Sequence, residues 1–521
     1  MSEAADWDDT PEEPDWLAQE RSEAARHAHD AEWLEPPSTD TPEAAKPAPA
    51  KRPKLEAVPT ITAAQDTVLS ALADGHRATD AGNSARLSGL AEGKIRYVHA
   101  WGKWIVYRDG RWRIDNTDAL ITEIAKAVPR HMFSQSIDLA GDAREHMFKW
   151  ANRSESASAV ASMIRLSRGI PGVIVDHRDL DSHPWLLNVA NGTIDLRTGE
   201  LGPHDPDHLI TCQAPVDYDP DATAPLWERC IEMWQPDPAV RAFLQAVIGT
   251  AATGDPVERV FVNLGGGANG KSRFYGAVER VLGHDYAVVP HKSLLVVQRH
   301  DQHDTVKARL FGARMAVASE TEAGDRLDEA KLKEITGGDF LEARRMREDP
   351  WQFKPSHTLF LHTNNRPKVR GGDEGIWRRL CLIPWAVTIP PGERDSRLAD
   401  KLADEGPGIL NWIIEGVRSY LAAGLVDPES VRDATADYRA DEDHLGRFIA
   451  DCCTLDAHMR VPAKALRTAY ERWCESIGEQ PQSAKMLGPL FRAKGLDSAK
   501  MGHANTLHWL GIGLLPEVDE D

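Results

Sequence analysis

Cysteine is scarce in this chain and scattered. Six residues (Cys212, Cys230, Cys381, Cys452, Cys453 and Cys474) are spread through 521, with no C-x-x-C pair and no histidine at ligand spacing. That disfavours a thiolate zinc site and a disulfide framework and leaves structural thiols. Long apolar runs are absent too: no stretch reaches 18 residues, so no segment can cross a bilayer as a helix. The first fifteen residues are acidic and contain tryptophan, unlike a secretion signal. A cytoplasmic protein with no membrane partner is expected. Positive charge is short overall, with a formal net charge of −20, which at first argues against nucleic acid. Residues 1–50 hold fourteen acids against three bases, however, so this segment alone carries −11 and the remaining 471 residues about −9. Local basic patches therefore decide the question of partners.

Residues 1–60 are rich in Ala, Glu, Asp and Pro, with prolines recurring from Pro36 to Pro59, and are expected to form a disordered acidic leader. Its tryptophans, Trp7, Trp16 and Trp33, sit among acids, in a solvated tail or a short partner-binding motif. Folding is expected to begin near Gln65–Ala73. The run 96–107 reads as one or two strands, and Asp109-Gly110 as the turn of a hairpin. Helical spacing follows at 117–128 and 143–168, then a small β unit between Leu186 and Glu200. Asp219-Pro220-Asp221-Ala222 marks a boundary. The expected layout is a leader (1–60), an α+β domain (61–224), an NTPase (225–430) and a C-terminal domain (440–521) with a short acidic tail. No internal repeat is present.

The most informative run is Gly265-Gly266-Gly267-Ala268-Asn269-Gly270-Lys271-Ser272, a G-x-x-x-x-G-K-S loop. Glycines let backbone N–H groups approach phosphate oxygens that a Cβ would crowd. The residues read as nucleotide ligands are Gly265, Gly267, Asn269, Gly270, Lys271 and Ser272. Lys271 would place a charge on the β- and γ-phosphates of ATP, and the Ser272 hydroxyl would ligate Mg²⁺. An apolar run precedes the loop (259–264) and a helical pattern follows it (274–282), which sets the phosphates at a helix N-terminus in an α/β core. A second apolar run, 312–319, ends in Glu320 and Glu322. Acids there lie at the carboxyl edge of a parallel sheet, one for the metal and one to orient the attacking water; Glu320, directly after the run, is the metal candidate. A third run, 357–363, ends at Asn364, an amide suited to sensing the γ-phosphate through that water. After Gly371-Gly372 come Arg378 and Arg379, either of which could stabilise charge on a neighbouring subunit's phosphate or form surface ion pairs.

Taken together these residues resemble the superfamily 3 helicases, in particular the phage and plasmid primase-helicase family with its satellite-phage and poxvirus members. The resemblance rests on Gly267-Ala268-Asn269-Gly270-Lys271-Ser272, the acids after Ala318-Ser319, and Lys333-Glu334-Ile335-Thr336-Gly337-Gly338-Asp339. Ala343-Arg344, Thr363-Asn364-Asn365-Arg366-Pro367 and Gly375-Ile376-Trp377-Arg378-Arg379 follow in order. Asn191-Gly192-Thr193-Ile194-Asp195-Leu196 and Asp219-Pro220-Asp221-Ala222 match the domain that precedes the helicase. It covers roughly residues 75–515. The resemblance implies an AAA+-like core in a hexameric ring, ATP hydrolysed between subunits, and movement along single-stranded or forked DNA in the cytoplasm, that of a host cell if phage-encoded. It also implies a helicase-associated character for residues 61–224. No acidic catalytic trio precedes that region, so primase activity would fall to a separate replication partner.

Between the acids and Asn364, two short β-like arms flank Glu348-Asp349-Pro350, a hairpin. In superfamily 3 rings a hairpin here holds DNA in the central channel. Arg345, Arg347 and Lys354 suit phosphate contact, or simply solvated surface, and Trp351 suits stacking or packing. From His444 to Leu510 nine bases face six acids. Helices at 462–473 and 485–496, followed by strands at 498–503 and 505–510, look like a winged helix that binds DNA or protein. Lys485, Arg492 and Lys494 lie on its candidate reading helix. An ATP-switched origin-binding initiator would use the same residues as a helicase. A small-molecule kinase would need a lid and an acceptor site instead of the hairpin and basic C-terminal unit.

Overall fold

A computed structural model describes residues 77–290, 294–297, 305–319, 325–345, 348–369, 374–502 and 505–516, all within a unit that spans Thr60–Asp521. Glu320, Glu322 and Arg347 lie outside the described residues, as does the expected start at Gln65–Ala73.

Helix α1 (Asp80–Leu90) opens the described chain, capped by Thr79, whose hydroxyl accepts from the Gly82 amide at 3.0 Å. Strands β1 (Ile95–Val98), β2 (Lys103–Arg108) and β3 (Arg111–Asp115) follow. The Asp109-Gly110 turn has φ of 54° and 78°, the doubly positive backbone of a tight hairpin. Buried Asp115 starts α2 (Ala119–Ile137) by accepting from the Ala119 and Ile121 amides at 3.0 and 2.9 Å. The expected helix over 143–168 is two, α3 (Gly141–Ser154) and α4 (Ala157–Ser167), because the Ser156 hydroxyl restarts the chain by capping Ala159. Strand β4 (Ile174–Val175) pairs in parallel with β1 and completes a sheet ordered β3-β2-β1-β4. Strands β5 (Leu186–Val189), β6 (Gly192–Asp195) and β7 (Glu200–Gly202) form the small β unit.

Helices α5 (Pro225–Trp234) and α6 (Pro238–Ala252) lead to a parallel sheet built from β8 (Val260–Leu264), β9 (Ala287–Val288) and β10 (Met315–Ser319). After the short antiparallel pair β11 (Leu341–Ala343) and β12 (Trp351–Phe353), strands β13 (Thr358–Thr363) and β14 (Leu380–Pro384) complete it. The order is β14-β8-β13-β10-β9, so β13 lies between the strand that enters the glycine loop and the strand that leads to the acids. Side chains alternate across the strands as the period of two requires. Phe261, Phe360, Met315, Val317 and Ile383 face one core, shared with α5, α6, α7 (Lys271–Tyr286) and the β5–β7 unit. Val262, Leu361, Ala318 and Leu382 face the other, shared with α8 (Glu329–Thr336), the β11–β12 hairpin, Ile105 and Trp112 of the first sheet, and Trp101 in the turn between β1 and β2. Each large apolar side chain buried this way contributes about 1.5–3 kcal/mol. Helices α9 (Glu374–Trp377), α10 (Leu398–Asp404), α11 (Gly406–Ala423) and α12 (Glu429–Glu442) follow. Gly249 of α6 lies against Gly416 of α11 so closely that a Cβ at either would overlap backbone, which fixes how near the helices approach.

The C-terminal part runs α13 (His444–Cys452), β15 (Cys453–Pro462), α14 (Ala463–Ser476), α15 (Ala484–Ala493), β16 (Asp497–Met501) and β17 (Thr506–Leu514), with sheet order β15-β17-β16. Its core gathers Leu445, Phe448, Tyr470, Trp473, Phe491 and Trp509. Both expected helices and the strand pair are present. The expected readings omit β15, whose middle six residues are exposed, so its sequence shows no alternation. Among the described residues no helix is long and apolar enough to cross a membrane, and no cluster of metal-ligating side chains occurs.

Candidate functional site

The glycine loop leaves the carboxyl end of β8 and enters α7 at Lys271. Its shape is held by two positive φ values, Ala268 at 60° and Gly270 at 85°. A Cβ on Gly270 would overlap the Trp234 ring, and one on Gly265 the Trp385 backbone, whereas nothing lies within 4 Å of that position on Gly266 or Gly267. The loop is thus packed from behind and open in front, a cradle for phosphate oxygens. Asn269 braces it from within: its Nδ2 donates to the Gly266 carbonyl at 2.6 Å, and its Oδ1 accepts from the Lys271 amide at 3.2 Å. Ser272 is exposed in the first turn of α7, whose N-cap residue Gly270 has no side chain to close the helix N-terminus, an end whose dipole favours an anion.

The Lys271 ammonium donates to the carbonyls of Thr363 at 2.8 Å and of Asn263 and Gly265 at 3.3 Å. Burial brings its pKa down to about 8. Behind it lies a network that the sequence reading did not single out. Asn263 Oδ1 accepts from Tyr275 Oη and from Trp385 Nε1, both at 2.9 Å. His362 rests 4.2 Å from the Tyr275 ring, and burial, followed by the Lys271 charge, presses its pKa down to about 3. The available signal was Asn263 itself, an amide inside an apolar strand, which needs buried partners.

Register places Asn263, His362 and Ser319 side by side on β8, β13 and β10. The exposed Asn364 follows β13 at the same edge, and β10 ends there one residue before Glu320. A cavity of about 400 Å³ opens beside Ala268, Gly270 and Arg273, walled by Leu226, Trp234 and Ile389, of a size and character suited to a nucleoside.

Arg378 and Arg379 lie elsewhere. They precede β14, whose first residue Leu380 pairs with Val260, so they sit at the amino edge of the sheet, opposite the loop. Arg379 is bound locally, to the Gly375 carbonyl at 3.0 Å and Glu258 at 2.8 Å. Arg378 is exposed and forms no side-chain hydrogen bond or ion pair among the described residues.

The hairpin is present, with Ala343 opposite Trp351. Its base is seated on the first sheet. Trp351 packs against Trp101 and Phe311 at ring distances of 5.6 and 5.2 Å, and the His177 ring contacts the Gln352 carbonyl at 2.8 Å. Arg345 lies over the Trp101 and Trp351 rings, 4.6 and 5.2 Å from their centres, and 3.8 Å from Glu348. In this chain its guanidinium is a packing element, and Trp351 packs rather than offering an open stacking face. Lys354 is exposed and makes no ion pair among the described residues. On α15, Lys485 and Arg492 are exposed two turns apart, while Lys494 is paired with Asp443.

The segment after β13 is tied to the C-terminal half. Arg366 pairs with Asp441, the Val369 amide donates to Glu442 at 2.9 Å, and Lys368 meets Glu479 at 3.1 Å.

Residues 85–236 match the family described as D5 N terminal like, and residues 264–379 a family of unknown function, DUF5906. A protein of Acanthamoeba polyphaga mimivirus, provisionally named helicase L207/L206, is 26% identical over 67% of this chain and 40% of its own length. African swine fever virus C962R, provisionally named a primase, is 28% identical over 39% of this chain and 22% of its own. Frog virus 3 022R, provisionally named a helicase, is 25% identical over 54% and 30%. The chain therefore spans well under half the length of these relatives. With its glycine loop, its parallel sheet, a D5-type match ahead of them and viral helicase and primase relatives aligned with it, the chain is similar to the phage and viral primase-helicase family.

Proposed function

We propose that the chain is an ATP-driven DNA helicase that acts as a ring of identical subunits, with a AAA+-like core and a winged-helix-like C-terminal part. One observation carries the reading: the sheet order sets the Lys271 loop, Asn364 and the end of β10 at one edge and leaves Arg378 exposed at the other. An edge that carries the phosphate ligands, paired with an opposite edge that carries an exposed arginine, is what a site shared between neighbours requires. The helix–strand–helix–helix–strand–strand order of residues 444–514 supports the winged-helix reading.

The open glycine loop, the retracted Lys271 and the adjacent cavity fit ATP with Mg²⁺; when bound, these supply the phosphoanhydride and the charge that polarises it. Ser272 and Glu320 would hold the metal, Lys271 would turn from its three carbonyls to the phosphates, and Glu322 or Glu320, with Asn364, would orient the attacking water. Arg378 of a neighbour stabilises the charge that develops. Lys354 of the hairpin, with Arg347, and Lys485 and Arg492 of α15 hold DNA phosphates, the hairpin gripping a single strand.

Strand displacement on a forked duplex with ATP and Mg²⁺, using the full chain and Lys271→Ala as control, tests this. Wild type should displace and hydrolyse, Lys271→Ala should do neither, and Glu320→Gln should bind ATP yet turn over slowly. ATP turnover without displacement would replace the helicase with an ATP-switched initiator. Wild-type turnover in Lys271→Ala would reject the nucleotide site itself.

A further inference from the structure

A groove of about 760 Å³ runs between α2 and α4, remote in sequence from the glycine loop, the hairpin and α15. Thr122, Lys126, Pro129 and Arg130 recur at helical spacing and share one face of α2, which forms one wall. The other wall is the face of α4 that carries Arg165, continued by Arg168, with Val160 and Ile164 as an apolar floor. Four cations therefore line the groove against two acids, Asp118 and Glu155.

These cations are not equally committed. Lys126 pairs with Glu123 at 2.7 Å, and Arg168 lies over the Tyr97 ring at 5.0 Å and 4.0 Å from Asp118. Arg130 and Arg165, one on each wall, are exposed and form no side-chain hydrogen bond or ion pair among the described residues. A chain that carries −20 overall has no lack of acids to pair them with. Unpaired arginines facing each other across an apolar floor suit a ligand with anionic groups at intervals and flat apolar surface between them. The volume lies in the range of ligand clefts and admits about one or two nucleotides.

We infer that this groove binds the backbone of single-stranded nucleic acid, with phosphates on Arg130 and Arg165 and a base or sugar over Val160 and Ile164. Such a site on residues 119–168 would hold a strand apart from the ATP-dependent machinery. It does not depend on hydrolysis, so it is tested without nucleotide.

The experiment titrates the full chain into fluorescent dT and rU oligonucleotides at several salt concentrations and follows anisotropy. Removing two phosphate contacts with Arg130→Ala/Arg165→Ala should lower the salt slope by about 1.4 and weaken binding about 25-fold at 0.1 M salt. Ala161→Trp, which fills the groove without changing charge, should also weaken binding. Whichever oligonucleotide responds identifies the sugar. Binding of labelled ATP, run alongside, should be unchanged in both variants, which separates failure here from failure of the nucleotide site. Unchanged affinity and slope for both oligonucleotides would overturn the proposal. So would polyglutamate binding to the groove more tightly than either.

Discussion

The position of Arg378 makes the shared site open to a quantitative test. Strand β8 runs five residues from Val260, beside the arginines, to Leu264, where the loop begins, and at about 3.3 Å per residue the edges lie about 16 Å apart. An arginine side chain cannot cover that distance within its own subunit. If Arg378 serves a neighbour, Arg378→Ala should lower kcat by about 10³-fold or more and leave ATP affinity nearly unchanged. Lys271→Ala should be inactive for a different reason, since it loses the phosphate ligand. Equal amounts of the two inactive proteins, co-assembled at random, pair an intact loop with an intact arginine at about one interface in four. Recovered turnover should therefore approach about a quarter of wild type, measured as phosphate release after mixing. Arg379→Ala serves as the contrast. It breaks the Glu258 and Gly375 contacts and should lower stability, and mixing should not rescue it through the interface. Wild-type turnover by Arg378→Ala, or no recovery in a mixture shown to co-assemble, would refute the trans arrangement.

Two further outcomes follow from the chemistry behind the loop. The Lys271 ammonium has a pKa of about 8 when held on carbonyls, and phosphates would raise it, so above that pH binding must take up a proton. ATP affinity measured with a fluorescent analogue should be flat below pH 8 and fall about tenfold per pH unit above it; a flat profile to pH 9.5 would reject that role. Asn263→Leu removes the acceptor shared by Tyr275 and Trp385 and leaves two buried donors unpaired, at about 1–3 kcal/mol each. Urea unfolding should show a loss of about 2–6 kcal/mol together with weakened ATP binding. An unshifted midpoint would mean that the network does not hold the loop.

What could be read from the sequence was what short stretches decide for themselves. The glycine loop, the Asp109-Gly110 turn and the Asn364 strand end are local patterns, and each stands where its pattern places it. The fate of a charge is not local. Arg345 and Arg379 look as free as Arg378 in sequence, yet their partners, Trp101 and Glu258, lie more than a hundred residues away, and only the packed chain brings them together. Lys494 is claimed in the same way by Asp443. Asn263 was visible as a polar residue in an apolar strand, but its partners come from α7 and from the turn after β14.

The seat of the hairpin bears on how this protein can be taken apart. Trp101, Ile105 and Trp112 share a core with Trp351, Phe353 and the strands of the parallel sheet. A fragment begun at residue 225, where the sequence marks a boundary, would lose these side chains and expose the underside of the hairpin and one flank of the sheet. Such an expression product is expected to aggregate or to bind apolar dyes even though it retains every nucleotide ligand. Biochemistry on this chain therefore calls for the residues from Asp80 onward to be kept with a loop to which they contribute no ligand.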